Sequence, residues 1–346
     1  MKKMKRTRII LCALAAGFLG AGCDDDAQEA AFGILEARLN FDAPASRGYV
    51  LVSDPSCTAT AADGWCTVSR SGDSIIVNVT DNISIESRHT SLTLASGGVS
   101  RQIPVSQSGG YFRLESDSVQ HTGDSTATLN LAVPAAFDYE AIPSAAWVTC
   151  TRDGQTLRLA VERNLSGAPR KADISLSCPT MGKDFHVSLL QYSVDDLMGS
   201  WTASYTTNSG QLQTAQVTLT HNAADSTVSL SGLDQNYESI MLKAHADGQQ
   251  FSFATGMFIG FLERGSTTYR IYQQGATGTH EVRPAETRTL HYGSLFSVSD
   301  EGKQVLEFQS DSTFTDGASM EGIAVMADMN GQMRSVSEYY GLQLTR

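Results

Sequence analysis

Basic charge is scarce in this sequence. Against 37 acidic residues stand 25 lysines and arginines, a formal net charge of -12. Five of those cations (Lys2, Lys3, Lys5, Arg6 and Arg8) fall within the first 22 residues, and without that segment the balance is -17, with 20 basic against 37 acidic residues. A basic stripe for nucleic acid and a basic patch for an anionic membrane surface are therefore excluded. Long apolar runs are equally scarce. The run Ile9–Leu19 is shorter than the roughly 20 residues of a spanning helix, and no later run is long and clean enough to cross a bilayer. Catalytic signatures are missing too. The seven histidines (His89, His121, His186, His221, His245, His280, His291) show no metal-ligand spacing, and His280-Glu281 lacks the second histidine of a zinc helix. No Gly-x-Ser-x-Gly elbow occurs. The glycines of "GATGTH" lack the preceding buried strand and following helix of a phosphate loop. Carboxylate pairs for glycoside hydrolysis are set in space and cannot be read from a sequence. The reading is a non-enzymatic protein with no metal and no cofactor.

What is present begins with location. A basic start, a short apolar run and Gly20-Ala21-Gly22 before Cys23 make residues 1–22 a secretory signal. The cysteine after small residues resembles the lipobox of bacterial lipoproteins, which implies cleavage before Cys23 and lipidation of its thiol; the alternative is a simple secreted protein. The usual leucine stands at Leu19, one position further out than that pattern expects. Asp24-Asp25-Asp26 would be repelled by anionic headgroups, so residues 23–30 read as a tether rather than a membrane-binding element. The acidic run resembles the export signal that sends Bacteroidetes lipoproteins to the outer cell surface. In enteric bacteria, by contrast, an aspartate after the lipidated cysteine means inner-membrane retention.

An internal repeat follows. "WCTVSRSGDSIIVNVTDNISIESRHTSLTL" (65–94) and "WVTCTRDGQTLRLAVERNLSGAPRKADISL" (147–176) align without a gap on Trp65, Gly72, Asn82, Arg88 and Trp147, Gly154, Asn164, Arg170. Ile75, Val77, Val79 alternate in the first copy and Leu157, Leu159, Val161 in the second, as half-buried strands do. Each copy closes on a strand with a late glutamine. About seven short strands per copy predict two immunoglobulin-like sandwiches over 31–109 and 110–193, with Trp65 and Trp147 as core anchors. The pattern resembles the BACON domain, a Bacteroidetes-associated, often N-terminal, carbohydrate-binding module. The resemblance implies an outer-membrane, cell-surface protein whose partners are glycans or a host glycoprotein, and it favours the surface reading of the aspartates.

Residues 194–346 read as a different antiparallel β domain. Eight or more alternating stretches predict a closed barrel or a larger sandwich, with an interior either filled or enclosing a ligand. The fold class is thus all-β throughout. The opening Gly199-x-Trp201 resembles lipocalin-like domains. Four cysteines remain after the signal and the lipid site. An oxidising export route permits Cys57–Cys66 and Cys150–Cys178 bridges, while buried free thiols are the alternative. Seven of the eleven tyrosines (Tyr205, Tyr237, Tyr269, Tyr272, Tyr292, Tyr339, Tyr340) lie in this last domain. Ligand contact is expected there, since tyrosine joins an apolar face to a hydrogen-bonding tip. Two functions are expected: glycan capture at the cell surface, or a stalk of two sandwiches presenting the barrel to a protein or small ligand.

Overall fold

The computed structural model describes residues 32–346 apart from 124, 235–236, 238–239, 284–287, 300 and 312. Cys23 and Asp24-Asp25-Asp26 lie outside the described residues. Apart from two single 3-10 turns, Pro179–Met181 and Asp195–Leu197, every regular element among the described residues is a strand. The chain divides into two compact units, one ending at Gly109 and one running from Gly110 to Arg346.

The first unit is a sandwich of eight strands: β1 Ile34–Arg38, β2 Asn40–Phe41, β3 Ser46–Val52, β4 Thr58–Ala61, β5 Cys66–Ser71, β6 Ser74–Val79, β7 Arg88–Ser96 and β8 Val99–Gln107. One sheet runs β1-β3-β6-β5 and the other β2-β8-β7-β4. Period-2 alternation decides what lies between them. Ile75, Val77 and Val79 of β6 face inward with Val50, Val52, Leu92, Leu94 and Val105, all buried.

The second unit opens with another sandwich: β9 Ser118–Thr122, β10 Ala127–Ala132, β11 Glu140–Pro143, β12 Val148–Asp153, β13 Thr156–Val161, β14 Arg170–Cys178 and β15 Lys183–Tyr192. Its sheets run β10-β13-β12 and β11-β14-β15-β9, and Leu157, Leu159, Ile174 and Leu176 are fully buried between them. Both sandwiches repeat one polar clamp. The Arg88 guanidinium lies 4.4 Å from the Trp65 ring centre and that of Arg170 lies 4.1 Å from the Trp147 ring centre. Each arginine donates its Nε–H to a glutamine, Gln107 at 2.9 Å and Gln191 at 2.8 Å. Nη2 donates to the carbonyl of Thr80 in one copy and Glu162 in the other, at 2.8 and 2.7 Å. The glutamine amide donates to the same carbonyl, at 2.8 and 2.9 Å. Burial pushes both guanidinium pKa values down, partly offset by Asp81 and Glu162 respectively. Trp65 and Trp147 are half-buried, each with a ring face under a cation, and Trp65 packs against the first core.

The rest of the unit is one twelve-stranded sheet: β16 Gly199–Thr206, β17 Leu212–Asn222, β18 Thr227–Ser231, β19 Met241–Asp247, β20 Gln250–Ala254, β21 Met257–Arg264, β22 Thr267–Thr277, β23 Val282–Arg283, β24 His291–Val298, β25 Gln304–Ser310, β26 Met320–Met329 and β27 Gln332–Thr345. The order β16-β17-β18-β19-β20-β24-β25-β27 returns from β27 to β16 and closes an eight-stranded barrel. The strands β26, β22, β21 and β23 continue from β27 as an extension. Large side chains fill the interior. Phe251, Phe253 and Phe308 meet with ring centres 5.3 to 6.3 Å apart, as expected where a barrel this narrow is filled by its own residues. The Arg346 guanidinium covers Trp201 at 4.2 Å and donates from Nε to Gln304 at 2.7 Å, so the barrel carries its own arginine–tryptophan–glutamine set.

The second sandwich and the barrel share packing. Leu190, Tyr192 and Val194 belong to the barrel core, and the Tyr192 and Phe296 ring centres are 4.7 Å apart. Gln249 donates to the carbonyls of His121 and Tyr192 at 2.8 and 3.0 Å.

The expected disulfides are absent; all four thiols are free. Cys57 and Cys66 sit in the first core as small apolar residues, and Cys178 is fully buried. Cys150 on β12 and Cys178 on β14 belong to opposite sheets, as do Cys66 on β5 and the β4 that follows Cys57. Burial as small apolar side chains accounts for Cys57, Cys66 and Cys178 without a bridge.

Two measurements check these points. Gln107→Ala is expected to cost about 1–3 kcal/mol in urea unfolding, since it leaves the Arg88 Nε–H without its acceptor inside the sandwich. The exposed Gln102→Ala on the same strand should stay within about 0.5 kcal/mol of the parent, and equal midpoints for the two would remove the clamp from the stability account. Thiol titration of denatured, unreduced protein should find Cys57, Cys66, Cys150 and Cys178 all reactive. In native protein the reaction should be slow, because burial pushes the thiols of Cys57, Cys66 and Cys150 up.

Candidate functional site

The twelve-stranded sheet forks along β27. Gln343–Thr345 of that strand pair with Val305–Glu307 of β25, whereas Gln332–Tyr340 pair on the same edge with Gly322–Met329 of β26. Gly341 (φ +57) sits at the changeover, opposite a register shift in β16, where a left-handed residue suits a bulge. A fork separates backbone groups that a ladder would otherwise pair. The Tyr292 hydroxyl bridges this one: it accepts from the Leu342 N–H and donates to the Glu321 carbonyl at 3.2 Å. Burial pushes its pKa up to about 12, with the Leu342 N–H pulling the other way.

Between the parted strands lies a cleft of about 540 Å³. Tyr292 and Phe308 come from the barrel side, Glu321 and Tyr340 from the extension side, and His280 from the turn between β22 and β23. That turn closes through the Thr277 N–H to the Glu281 carbonyl at 3.0 Å and the His280 N–H to the Thr277 carbonyl at 2.9 Å. His280 adopts φ +61, a conformation glycine takes more easily. Its exposed ring stacks on Tyr340 with centres 4.3 Å apart and planes 20° apart. The Asn208 carbonyl lies 3.0 Å from His280 Nδ1 and can only accept, so Nδ1 carries a proton and, in the neutral ring, Nε2 keeps its lone pair. Tyr340 donates its hydroxyl to Glu338 at 2.7 Å, and burial with the Glu338 carboxylate pushes its pKa up. Aromatic faces beside hydroxyl, amide and carboxylate groups suit a polyhydroxylated ligand with one apolar side.

The tyrosines expected to mark the site divide three ways. Tyr292 and Tyr340 line the fork cleft. Tyr205, Tyr237 and Tyr339 border a second hollow of about 420 Å³. Tyr269 and Tyr272 lie on β22, the latter against the exposed Phe258 at 5.5 Å. Among the described residues, no group of three or more His, Cys, Asp or Glu is placed to hold a metal ion. His280, the residue most specific to the cleft, escaped sequence reasoning. It was visible there only as half of an incomplete zinc-helix pair, His280-Glu281, and as the end of "GATGTH", a glycine pair without phosphate-loop context, in which Gly275 has a packing reason: a Cβ would meet Phe314 at 2.8 Å.

Residues 55–108, from the approach to β4 through the end of β8, match the family BACON, described as "Putative binding domain, N-terminal". No curated protein sequence matches the chain. Among solved structures it is similar to a chimeric titin Z1Z2 carrying an exogenous decorin peptide, at 8% identity over 46% of this chain and 96% of that one, TM-score 0.30. An I-band fragment of titin is similar at 6% identity over 81% and 93%, TM-score 0.26. An endo-fucoidan hydrolase of glycoside hydrolase family 107 is similar at 11% identity over 44% and 32%, TM-score 0.26. At these scores the likenesses bear on neither ligand nor activity.

The Tyr292 bridge makes stability pH-dependent in a defined direction. The folded chain keeps a proton that the unfolded chain releases near pH 10, so the contribution is intact below pH 10 and is lost as pH rises through about 12. Urea unfolding at pH 9, 10 and 11 should show that decline. Tyr292→Phe should remove part of the slope while costing about 1–3 kcal/mol at neutral pH through the stranded Leu342 N–H. An unchanged slope would mean that the hydroxyl is not sealed in the fork.

Proposed function

We propose that this protein is a non-enzymatic lipoprotein of the outer cell surface that assists in capturing glycans, and that the fork cleft is where the sugar is held. The anchor rests on Cys23 after the signal run and the export route on Asp24-Asp25-Asp26. The observation that carries the binding reading is the His280–Tyr340 stack at the edge of a polar cleft, in a barrel whose interior is otherwise packed. The BACON match to residues 55–108 supports a binding role for the chain as a whole. The repeated clamp supports reading the second sandwich as a diverged copy of the same domain, and the barrel as its lipocalin-like companion.

Within this reading the sandwiches support rather than hold. One face of Trp65 and one of Trp147 are occupied by Arg88 and Arg170, which leaves each indole less of its surface for a sugar. The bonds from Gln249 into the second sandwich favour a fixed base beneath the barrel. That same observation supports the alternative, a stalk presenting the barrel to a protein or small ligand. Cell binding separates the two. Intact cells making the protein should retain fluorescent plant polysaccharide or mucin, lose it after protease shaving, and fail to retain it when Tyr340 is replaced by alanine. Retention that survives shaving would place the protein elsewhere. Retention unaffected by Tyr340→Ala would move the sugar away from the fork.

A further inference from the structure

We infer that the fork cleft selects uncharged glycans and rejects sulfated and uronic ones, an inference that rests on the glycan reading of the same site. The hydrogen-bond inventory carries it. The His280 Nδ1 proton is committed to the Asn208 carbonyl, which leaves Nε2 of the neutral ring as an acceptor. The Tyr292 hydroxyl spends its proton on the Glu321 carbonyl and accepts from Leu342. The Tyr340 proton goes to Glu338, whose other carboxylate oxygen accepts from Ser335 at 2.6 Å. The exposed Glu321 carboxylate, beside the backbone of Gly278, has no donor to offer. Thr206, Gln309 and Ser319 are left as side chains able to donate, all of them neutral, and no lysine or arginine lines the cleft. Arg283, just past the turn, is tied to Glu281 and Asp316, both at 2.9 Å.

Such a site offers a carboxylate and an imidazole nitrogen as acceptors, a few neutral donors and no cation. A neutral sugar matches it, because each hydroxyl can donate. A sulfate or carboxylate can only accept, and it would enter beside Glu321 on a chain whose net charge beyond residue 22 is -17, with 20 basic against 37 acidic residues. The His280 ring is an independent sign that the turn serves a ligand. Its φ of +61 would be met at lower cost by glycine, yet an imidazole stands there with its orientation fixed twice, by the Tyr340 ring it stacks on and by the Asn208 carbonyl at Nδ1.

The test is calorimetry at low ionic strength on residues 24–346, with neutral gluco-, galacto-, manno- and xylo-oligosaccharides and the sulfated derivative of each. Whichever neutral sugar binds, its sulfated form should bind at least about tenfold more weakly, the scale of discrimination that like-charge contact gives. Glu321→Gln should narrow that gap, which separates charge from the mere bulk of a sulfate. His280→Gly suits the backbone, so it should keep the folded signal and weaken binding of the neutral sugar. Sulfated sugars that bind as tightly as neutral ones, or a gap untouched by Glu321→Gln, would overturn the selectivity while leaving the glycan reading standing. Unchanged affinity in His280→Gly would overturn the placement. Saturation by no sugar in either set would remove the glycan reading and this inference with it.

Discussion

A guanidinium lying on an indole, held there by one glutamine, is the contact on which both sandwiches depend, and the barrel uses it a third time. Arg88 and Arg170 answer backbone carbonyls just past the end of a strand pair, where the ladder has stopped supplying donors, and Arg346 answers one in the 3-10 turn before β16. The planar fork of arginine can serve a side-chain amide, a carbonyl and an aromatic face together, which a lysine ammonium cannot. Its partner is a neutral amide, so charge is seated at the rim of the core without a second charge to desolvate. The cost of that seating is visible in the lowered pKa of Arg88, Arg170 and Arg346, for which burial is the leading cause.

That constraint also decides where the molecule can bind. Each indole has one face covered by its own arginine, and Trp201 is fully buried, so the three tryptophans serve cohesion. Exposed aromatic surface remains at Phe258 and Phe261 of β21, and where pairing breaks the exposed His280 ring lies on Tyr340. At the fork the strands part because β27 is shared between β25 and β26, and the polar groups this exposes are partly answered by Tyr292. The cleft is a product of topology. Its shape needs no cavity inside the barrel.

How far the sequence reveals this follows from the range of each interaction. The alternation of Ile75, Val77, Val79 and of Leu157, Leu159, Val161 is local, and both sandwiches were legible from it. The tryptophan, asparagine, arginine and late glutamine of each copy were legible as matched positions, but not as a clamp, since Arg88 meets Trp65 only after two sheets face each other. An even cysteine count suggested bridges, yet parity carries no information about which sheet each thiol joins. The signal, lipidation and export residues rest on the sequence alone. His280 was hidden most deeply. Its role depends on a left-handed turn, a carbonyl at Asn208 and a ring at Tyr340, contributed by distant parts of the chain.

The sharing of β27 bears on how the protein reaches its folded form. This strand closes the barrel against β16, some 140 positions earlier, and simultaneously anchors β25 and β26. Until residues 343–345 dock, β16 and β25 each keep an open edge, the kind of template that pairs with other chains. Closure over so long a loop is slow, because the chain entropy is lost before the contacts are gained. A chain in which this strand has not docked therefore carries two adhesive edges, and the yield of folded protein depends on whatever shields them until closure.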